Sequence, residues 1–131
     1  FLIYCCFFIC FFLITFRVMK ILVTGGSGGL GSQLQNSYPG CLSPTRNDLD
    51  VTNKNQVIDY FDNHSIDLVI HTAAITSVRL CEEDRELAWN TNVQGTKNLT
   101  SAAIQSKNNI KFISNVESIT FYYICCKLTP V

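Results

Sequence analysis

The chain has 131 residues, ten Lys and Arg against ten Asp and Glu, seven Cys and 47% hydrophobic residues. A single domain of this size buries about two-thirds of the surface its unfolded chain exposes, so folding requires neither a disulfide framework nor a metal. The zero formal net charge removes the broad positive field with which nucleic-acid binders gather phosphates, and nucleic acid drops out as an expected partner.

Composition divides the chain into three pieces, 1–18, 19–113 and 114–131. Phe1 to Phe16 carries no charge and holds six of the nine Phe. It lacks the positive start and small-residue cleavage site of a secretory signal. Its length and the flanking Arg17 and Lys20 fit a membrane anchor better, although a spanning helix wants about 20 residues. The competing reading takes Met19 as the true start and the apolar leader as an extension foreign to the protein. The tail shares the Phe/Tyr/Ile/Cys flavour of the leader. The expected location is cytoplasmic, or membrane-anchored if residues 1–16 are genuine. Five of the seven Cys lie in the end pieces, leaving Cys41 and Cys81 in a middle that reads as a reduced protein. No Cys-x-x-Cys pair occurs, and His64 and His71 have no partners at zinc-ligand spacing, so no metal is expected.

Within the middle piece, Lys20 to Gly31 (KILVTGGSGGLG) is a short apolar run broken by glycines, followed by Leu30 and Leu34 at helical spacing. It predicts strand, tight turn and helix. Cys41 to Ser43, stopped by Pro44, and Leu49 to Val51 are weaker strand candidates. Thr52 is the expected cap of a helix whose apolar face is Val57, Ile58 and Phe61. Asp67 to Ala74 (DLVIHTAA) predicts a strand buried on both faces. A long helix is expected from about Glu83 to Gln105, with Trp89, Val93, Thr96, Leu99 and Ala103 on one face. Ile110 to Ile113 closes the series as a fifth strand. This alternation predicts an α/β, Rossmann-type, doubly wound parallel sheet truncated after about the fifth strand. The Lys20 and Asp67 strands are expected side by side where the strand order reverses, the place where ligands bind outside the strands' carboxyl ends.

The glycine segment satisfies Gly-x-x-Gly-x-x-Gly through Gly25, Gly28 and Gly31. Glycine there permits a tight turn, close approach of backbone to a pyrophosphate, and close packing of helix on strand. The following helix start offers free N–H groups and its positive dipole end to a phosphate. No Lys-Ser/Thr follows, which disfavours an ATP-cradling loop.

MKILVTGGSGGLG from Met19, LDVT at Leu49 to Thr52, DLVIHTAA, and LAWNTNVQGTKNL at Leu87 to Leu99 together resemble the N-terminal half of the extended short-chain dehydrogenases/reductases. The resemblance is to the dTDP-4-dehydrorhamnose reductase branch, with sugar-nucleotide epimerases and dehydratases as near relatives. It implies an NADP or NAD cofactor and, for the full-length protein, a sugar-nucleotide substrate reduced at a 4-keto carbon. It also implies cofactor contacts from Gly25, Ser27, Gly28, Gly29, Leu30 and Gly31 at the pyrophosphate. Asp50 and Val51 would lie beside the adenine, and Thr72, Ala73 and Ala74 at the strand end facing ribose and nicotinamide. Asn92 matches the family's helix asparagine, which would steady the strand carrying the catalytic hydroxyl. Asp50 could equally be a helix-start residue, and Asn92 a polar core residue. Arg46 lies near the place where an arginine would accommodate a 2′-phosphate, which leans the choice towards NADP; a solvated surface arginine is the alternative. The family also allows a homodimer.

The same resemblance places catalysis on a Ser or Thr after the fifth strand and on a Tyr-x-x-x-Lys helix, whose lysine lowers the tyrosine pKa for proton transfer. Ser114 follows the fifth strand, but Asn115 stands where the branch has its catalytic Thr. Tyr123 and Lys127 have the spacing, yet they follow Ser114 by only nine and thirteen residues, and Pro130 limits any helix there. Ser114, Tyr123 and Lys127 are therefore weak catalytic candidates, and the catalytic residues stay unassigned. The sequence reads as cofactor-binding without the substrate-binding part. A non-catalytic nucleotide-binding regulatory subunit is the alternative in a different class.

Overall fold

The computed structural model describes residues 18–106 and 109–114. The first strand, β1 (Ile21–Thr24), is buried at all four positions. It pairs in parallel with β2 (Leu68–His71), placing Ile21 opposite Leu68 and Thr24 opposite His71. On its other side β2 pairs in parallel with β3 (Lys111–Ser114), with His71 opposite Ser114. The two strands expected to be neighbours are neighbours.

Among the described residues the sheet has three strands in the order β1-β2-β3, not the five expected. The Cys41 to Ser43 run contributes a single bridge, Leu42 to Leu22, made by Leu42 N–H to Ile21 O and Val23 N–H to Leu42 O, each 2.8 Å. Pro44, two residues on, has no N–H with which to extend that ladder. Leu49 to Val51 forms no strand because the acids around it bond to their own neighbourhood. Asp48 Oδ2 accepts from Thr45 N and Oγ1, and Asp50 Oδ1 accepts from Thr52 N and Oγ1. Such local bonds give the backbone turns in place of a ladder. Leu49 and Val51 still bury their side chains.

Two helices flank the first crossover: α1 (Gly29–Ser37) leaves the glycine turn, and α2 (Lys54–Asn63) precedes β2. The cap of α2 is Asn53 rather than Thr52. The Asn53 carboxamide oxygen accepts from Asn55 N and Gln56 N, whereas the Thr52 hydroxyl is already committed to Asp50. Val57 and Phe61 are buried as expected, and Ile58 is half-buried.

The long helix expected from about Glu83 to Gln105 runs unbroken over residues 85–105, but it carries a π turn and begins at a cap, Asp84. Asp84 ends α3 (Val78–Glu83) and caps α4 (Arg85–Trp89) by accepting from Leu87 N at 2.9 Å. A π-helical turn (Asn90–Gln94) follows, closed by Gly95 N–H to Asn90 O, and then α5 (Gly95–Gln105). A π turn carries an extra residue, so the faces before and after it are out of phase. That explains why Val93, Thr96, Leu99 and Ala103 are buried while Trp89, expected on the same stripe, is exposed.

The core is a row across the sheet, Leu22, Val69 and the half-buried Phe112, packed with Leu49, Val51, Val57, Phe61, Ile66, Leu99, Ala102 and Ala103. Each fully buried aliphatic side chain in such a core contributes roughly 1.5–3 kcal/mol of transfer free energy. β2 was expected to be buried on both faces. Val69 and His71 are buried, but Leu68 and Ile70 are only half-covered. No helix among the described residues is long and apolar enough to cross a membrane; residues 1–16 lie outside them.

Because Asn53 satisfies two otherwise unpaired N–H groups of α2, Asn53→Ala is expected to lower stability by about 1 kcal/mol, whereas Thr52→Val should leave the helix content intact. Urea unfolding of the two variants, followed by far-UV circular dichroism, measures the difference.

Candidate functional site

At the carboxyl ends of β1 and β2 the chain opens into a cleft of about 550 Å³. Its floor is the glycine turn, Gly25 to Gly28. One wall is Pro44 to Arg46 and Leu49 to Thr52, and the other is Thr72 to Ile75 with Thr91.

Gly25 has φ +77, a conformation that side chains other than glycine's rarely adopt. A Cβ on it would also lie 2.6 Å from Ala73 N, so the turn rests directly on the backbone of the opposite wall. Gly31 packs as closely, since a Cβ there would collide with the Gly25 carbonyl. Gly28 N–H bonds back to Gly25 O at 3.0 Å, and Gly28 then starts α1 without any side-chain cap. Helix-start N–H groups lacking a capping side chain point their positive end out of the helix, here towards the cleft. Gln35 on α1 braces the turn by donating from Nε2 to Gly26 O at 2.7 Å.

The sequence-derived cofactor residues distribute around this cleft. Gly25, Ser27, Gly28, Arg46, Asp50, Val51, Thr72, Ala73 and Ala74 line it. Gly29, Leu30 and Gly31 form the first turn of α1 just beyond the lining, and Leu30 is exposed. Asn92 does not line the cleft. It is fully buried, and its amide spans the main chain of Ile75, accepting from Ile75 N at 2.8 Å and donating to Ile75 O at 2.9 Å. Ser114 ends β3 beside His71, with a buried hydroxyl that finds no partner among the described residues. Tyr123 and Lys127 lie outside the described residues.

Arg46 and Asp50 form an exposed pair, Nε to Oδ2 at 3.4 Å. Burial pushes the Asp50 carboxyl up, but the Thr52 hydroxyl and N–H and the Arg46 guanidinium together hold it below its ordinary value. The Asp48 carboxyl is likewise held down by the Thr45 hydroxyl and N–H.

Several residues that organise the site carried no signal at the level of sequence patterns. Asn98 on α5 donates to Val51 O at 2.9 Å and Thr52 O at 3.2 Å, fixing the Asp50 to Thr52 wall from beneath. His71, one of two histidines that looked unremarkable, is buried between two threonines. Thr24 Oγ1 is 2.7 Å from its Nδ1 and Thr96 Oγ1 is 3.0 Å from its Nε2. The Thr96 hydroxyl donates to Asn92 O at 2.7 Å. Its proton is thereby committed, so Nε2 carries the imidazole proton and Nδ1 accepts from Thr24. Desolvation lowers the His71 pKa to about 4.

Comparison with known proteins agrees with this geometry. The RmlD substrate binding domain model matches residues 19–116. The chain belongs to the RmlD substrate-binding-domain family. It is 33% identical over 100 residues to dTDP-4-dehydrorhamnose reductase of Aggregatibacter actinomycetemcomitans, covering 72% of this chain and 34% of that protein. Among solved structures, the dTDP-4-dehydrorhamnose reductase of Clostridium acetobutylicum is 40% identical with a TM-score of 0.63, over 66% of this chain and 32% of that one. The reductase of Bacillus anthracis, solved in complex with NADP, is 31% identical with a TM-score of 0.62, over 65% and 32%. The chain thus spans about a third of the length of these relatives. The α/β arrangement with its three-stranded parallel sheet matches Rossmann-type reductase structures.

The depressed His71 pKa fixes a pH dependence. The unfolded chain takes up a proton below about pH 6.5 that the folded chain refuses until about pH 4. Stability conferred by neutral His71 is therefore complete above pH 6.5 and is lost as pH falls through that window. The loss reaches about 3 kcal/mol below pH 4. Asp48 and Asp50, held below their ordinary 3.8, add their own loss only at still lower pH. Denaturant unfolding of the full chain between pH 7 and pH 4.5 is expected to show this slope, and His71→Phe should abolish it.

Proposed function

We propose that the cleft binds an NADP or NAD dinucleotide and that the chain is the cofactor-binding half of a sugar-nucleotide oxidoreductase. The proposed reaction of the whole protein is hydride transfer to a 4-keto sugar nucleotide, as in nucleotide-sugar metabolism of the dTDP-rhamnose kind. The observation that carries this reading is the contact of Gly25 with Ala73 N at the base of an open cleft whose far rim carries Arg46. Backbone without side chains leaves room for a pyrophosphate against the start of α1, and the two walls lie to either side of it.

In this reading Gly25, Ser27 and Gly28, with Gly29, Leu30 and Gly31 at the start of α1, hold the pyrophosphate. Asp50 and Val51 flank the adenine. Thr72, Ala73 and Ala74 give ribose and nicotinamide a wall of small side chains, and Asn92 keeps that wall in place through Ile75. When bound, the nicotinamide supplies or accepts the hydride. Arg46 favours NADP over NAD. An exposed i,i+4 pair is worth about 0.3–0.5 kcal/mol, while a charge-assisted bond to a phosphate is worth about 1.5–3 kcal/mol. Arg46 therefore gains by leaving Asp50 for a 2′-phosphate.

Isothermal titration of the full chain with NADP and with NAD tests the reading. Saturable binding is expected, tighter for NADP. Arg46→Ala should weaken NADP about tenfold and leave NAD nearly unchanged, and Gly25→Ala should abolish both. Absence of binding by either dinucleotide at millimolar concentration would overturn the proposal.

A further inference from the structure

The glycine turn at the floor of the cleft is joined to the Thr72 to Ile75 wall by a series of buried hydrogen bonds. It starts at Thr24, the residue before Gly25, whose hydroxyl donates to His71 Nδ1 at 2.7 Å. It continues from His71 Nε2 to the Thr96 hydroxyl at 3.0 Å, and from that hydroxyl to Asn92 O at 2.7 Å. It ends where the Asn92 amide clasps both main-chain groups of Ile75. Thr24, His71, Asn92 and Thr96 are all buried. Within the chain each hydroxyl and imidazole proton has one direction in which to point, so it has one arrangement rather than several.

Its position gives it a task. Thr24 and His71 are opposed in register at the last residues of β1 and β2, and the chain leaves the sheet there on two sides. One side runs directly into Gly25. The other passes through Thr72 to Ala73, whose backbone lies where a Gly25 Cβ would be. The clasp on Ile75 fixes the outer end of that same wall. Apolar packing cannot do this, because Ala73 and Ala74 have almost no side chain by which to be held. By contrast, the Asp50 to Thr52 segment of the adenine-side wall is held by the bond between Thr52 and Asp50 within it and by Gln56 and Asn98 from outside.

We propose that His71 and Thr96 are positioning residues for the pyrophosphate and nicotinamide side of the site, setting the spacing between the glycine turn and the Ala73 to Ile75 wall while leaving the adenine side independent. The proposal rests on the dinucleotide reading above and adds an uneven effect within the ligand.

The test pairs Thr96→Val, which keeps the shape and removes the hydroxyl, with Thr96→Ser, which restores it. Each is titrated in the full chain with NADP and with adenosine 2′-phosphate, which lacks the 5′-phosphate and is confined to the adenine side. Thr96→Val is expected to bind NADP at least fivefold more weakly with unchanged affinity for the monophosphate, and Thr96→Ser should recover NADP binding. A parallel loss of both ligands, or no loss of either, overturns the proposal. If Thr96→Val does not fold, His71→Gln, which keeps a donor towards Thr96 and loses the acceptor for Thr24, must show the same selective loss. Wild-type chain that binds the monophosphate and NADP equally well also overturns it, since no contribution from the pyrophosphate and nicotinamide side would remain to be positioned. Failure of wild type to bind either ligand instead strikes the dinucleotide reading itself.

Discussion

The structure depends on the contact between Gly25 and the backbone of Ala73. Two parallel strands end side by side, and the chain leaving each must turn away without a side chain between them. Gly25 at φ +77 makes the turn, and the 2.6 Å that a Cβ would leave to Ala73 N shows how little space separates the segments. Everything at the carboxyl end of the sheet follows from that approach. Gly31 must also lack a side chain, because the first turn of α1 lies against the Gly25 carbonyl. The cleft opens above the contact because backbone alone occupies its base.

The two ends of the sheet are held by different means. Towards the middle of the strands the row Leu22, Val69 and Phe112 packs on Val57, Leu99 and Ala102, and dispersion with water exclusion secures it. At the carboxyl end the buried residues Thr24, His71, Asn92, Thr96 and Asn98 are each paired, and only the buried hydroxyls of Thr91 and Ser114 find no partner among the described residues. Burying polar groups stabilises little in net terms, but an unpaired one would cost about 1–3 kcal/mol. That asymmetry makes the carboxyl end specific: alternative arrangements are penalised more than the native one is favoured. A ligand cleft needs such definition more than it needs extra stability.

The path from sequence to this site was legible where a residue type has a single physical use. Glycines between a strand and a helix, small residues after an apolar run, and the order of four motifs located β1, β2, the turn and the cleft. Strand count was less legible, because Leu42, Leu49 and Val51 are apolar and buried without being in a ladder; Pro44 and the side chains of Asp48 and Asp50 claim the backbone first. The cap at Asp84 and the π turn were hidden for a related reason. A polar residue in a helical pattern does not announce whether it caps, and the phase shift of the π turn shows only in where one side chain, Trp89, ends up. His71 was hidden more completely. Its value lies in Thr24 and Thr96, 47 and 25 residues away, and no local spacing reports that.

Asp50 shows why a structural and a functional reading of one residue need not compete. An ionised carboxylate offers about four acceptor positions. Oδ1 spends two on Thr52 N and Thr52 Oγ1, both under 3 Å, and so shapes the turn that replaces a strand. Oδ2 has only the 3.4 Å contact with Arg46, a pair too long and exposed to hold it firmly. The bonds from Thr52, with the Arg46 guanidinium, hold the carboxyl below its ordinary value against the effect of burial, so at neutral pH this residue of the cleft lining keeps Oδ2 as a charged acceptor. In the proposed complex the adenine amino group would meet that oxygen as Arg46 turns to a 2′-phosphate. The turn and the contact then share one set of bonds: those from Thr52 that shape the turn also orient the carboxylate and, with Arg46, deepen its hold on its charge.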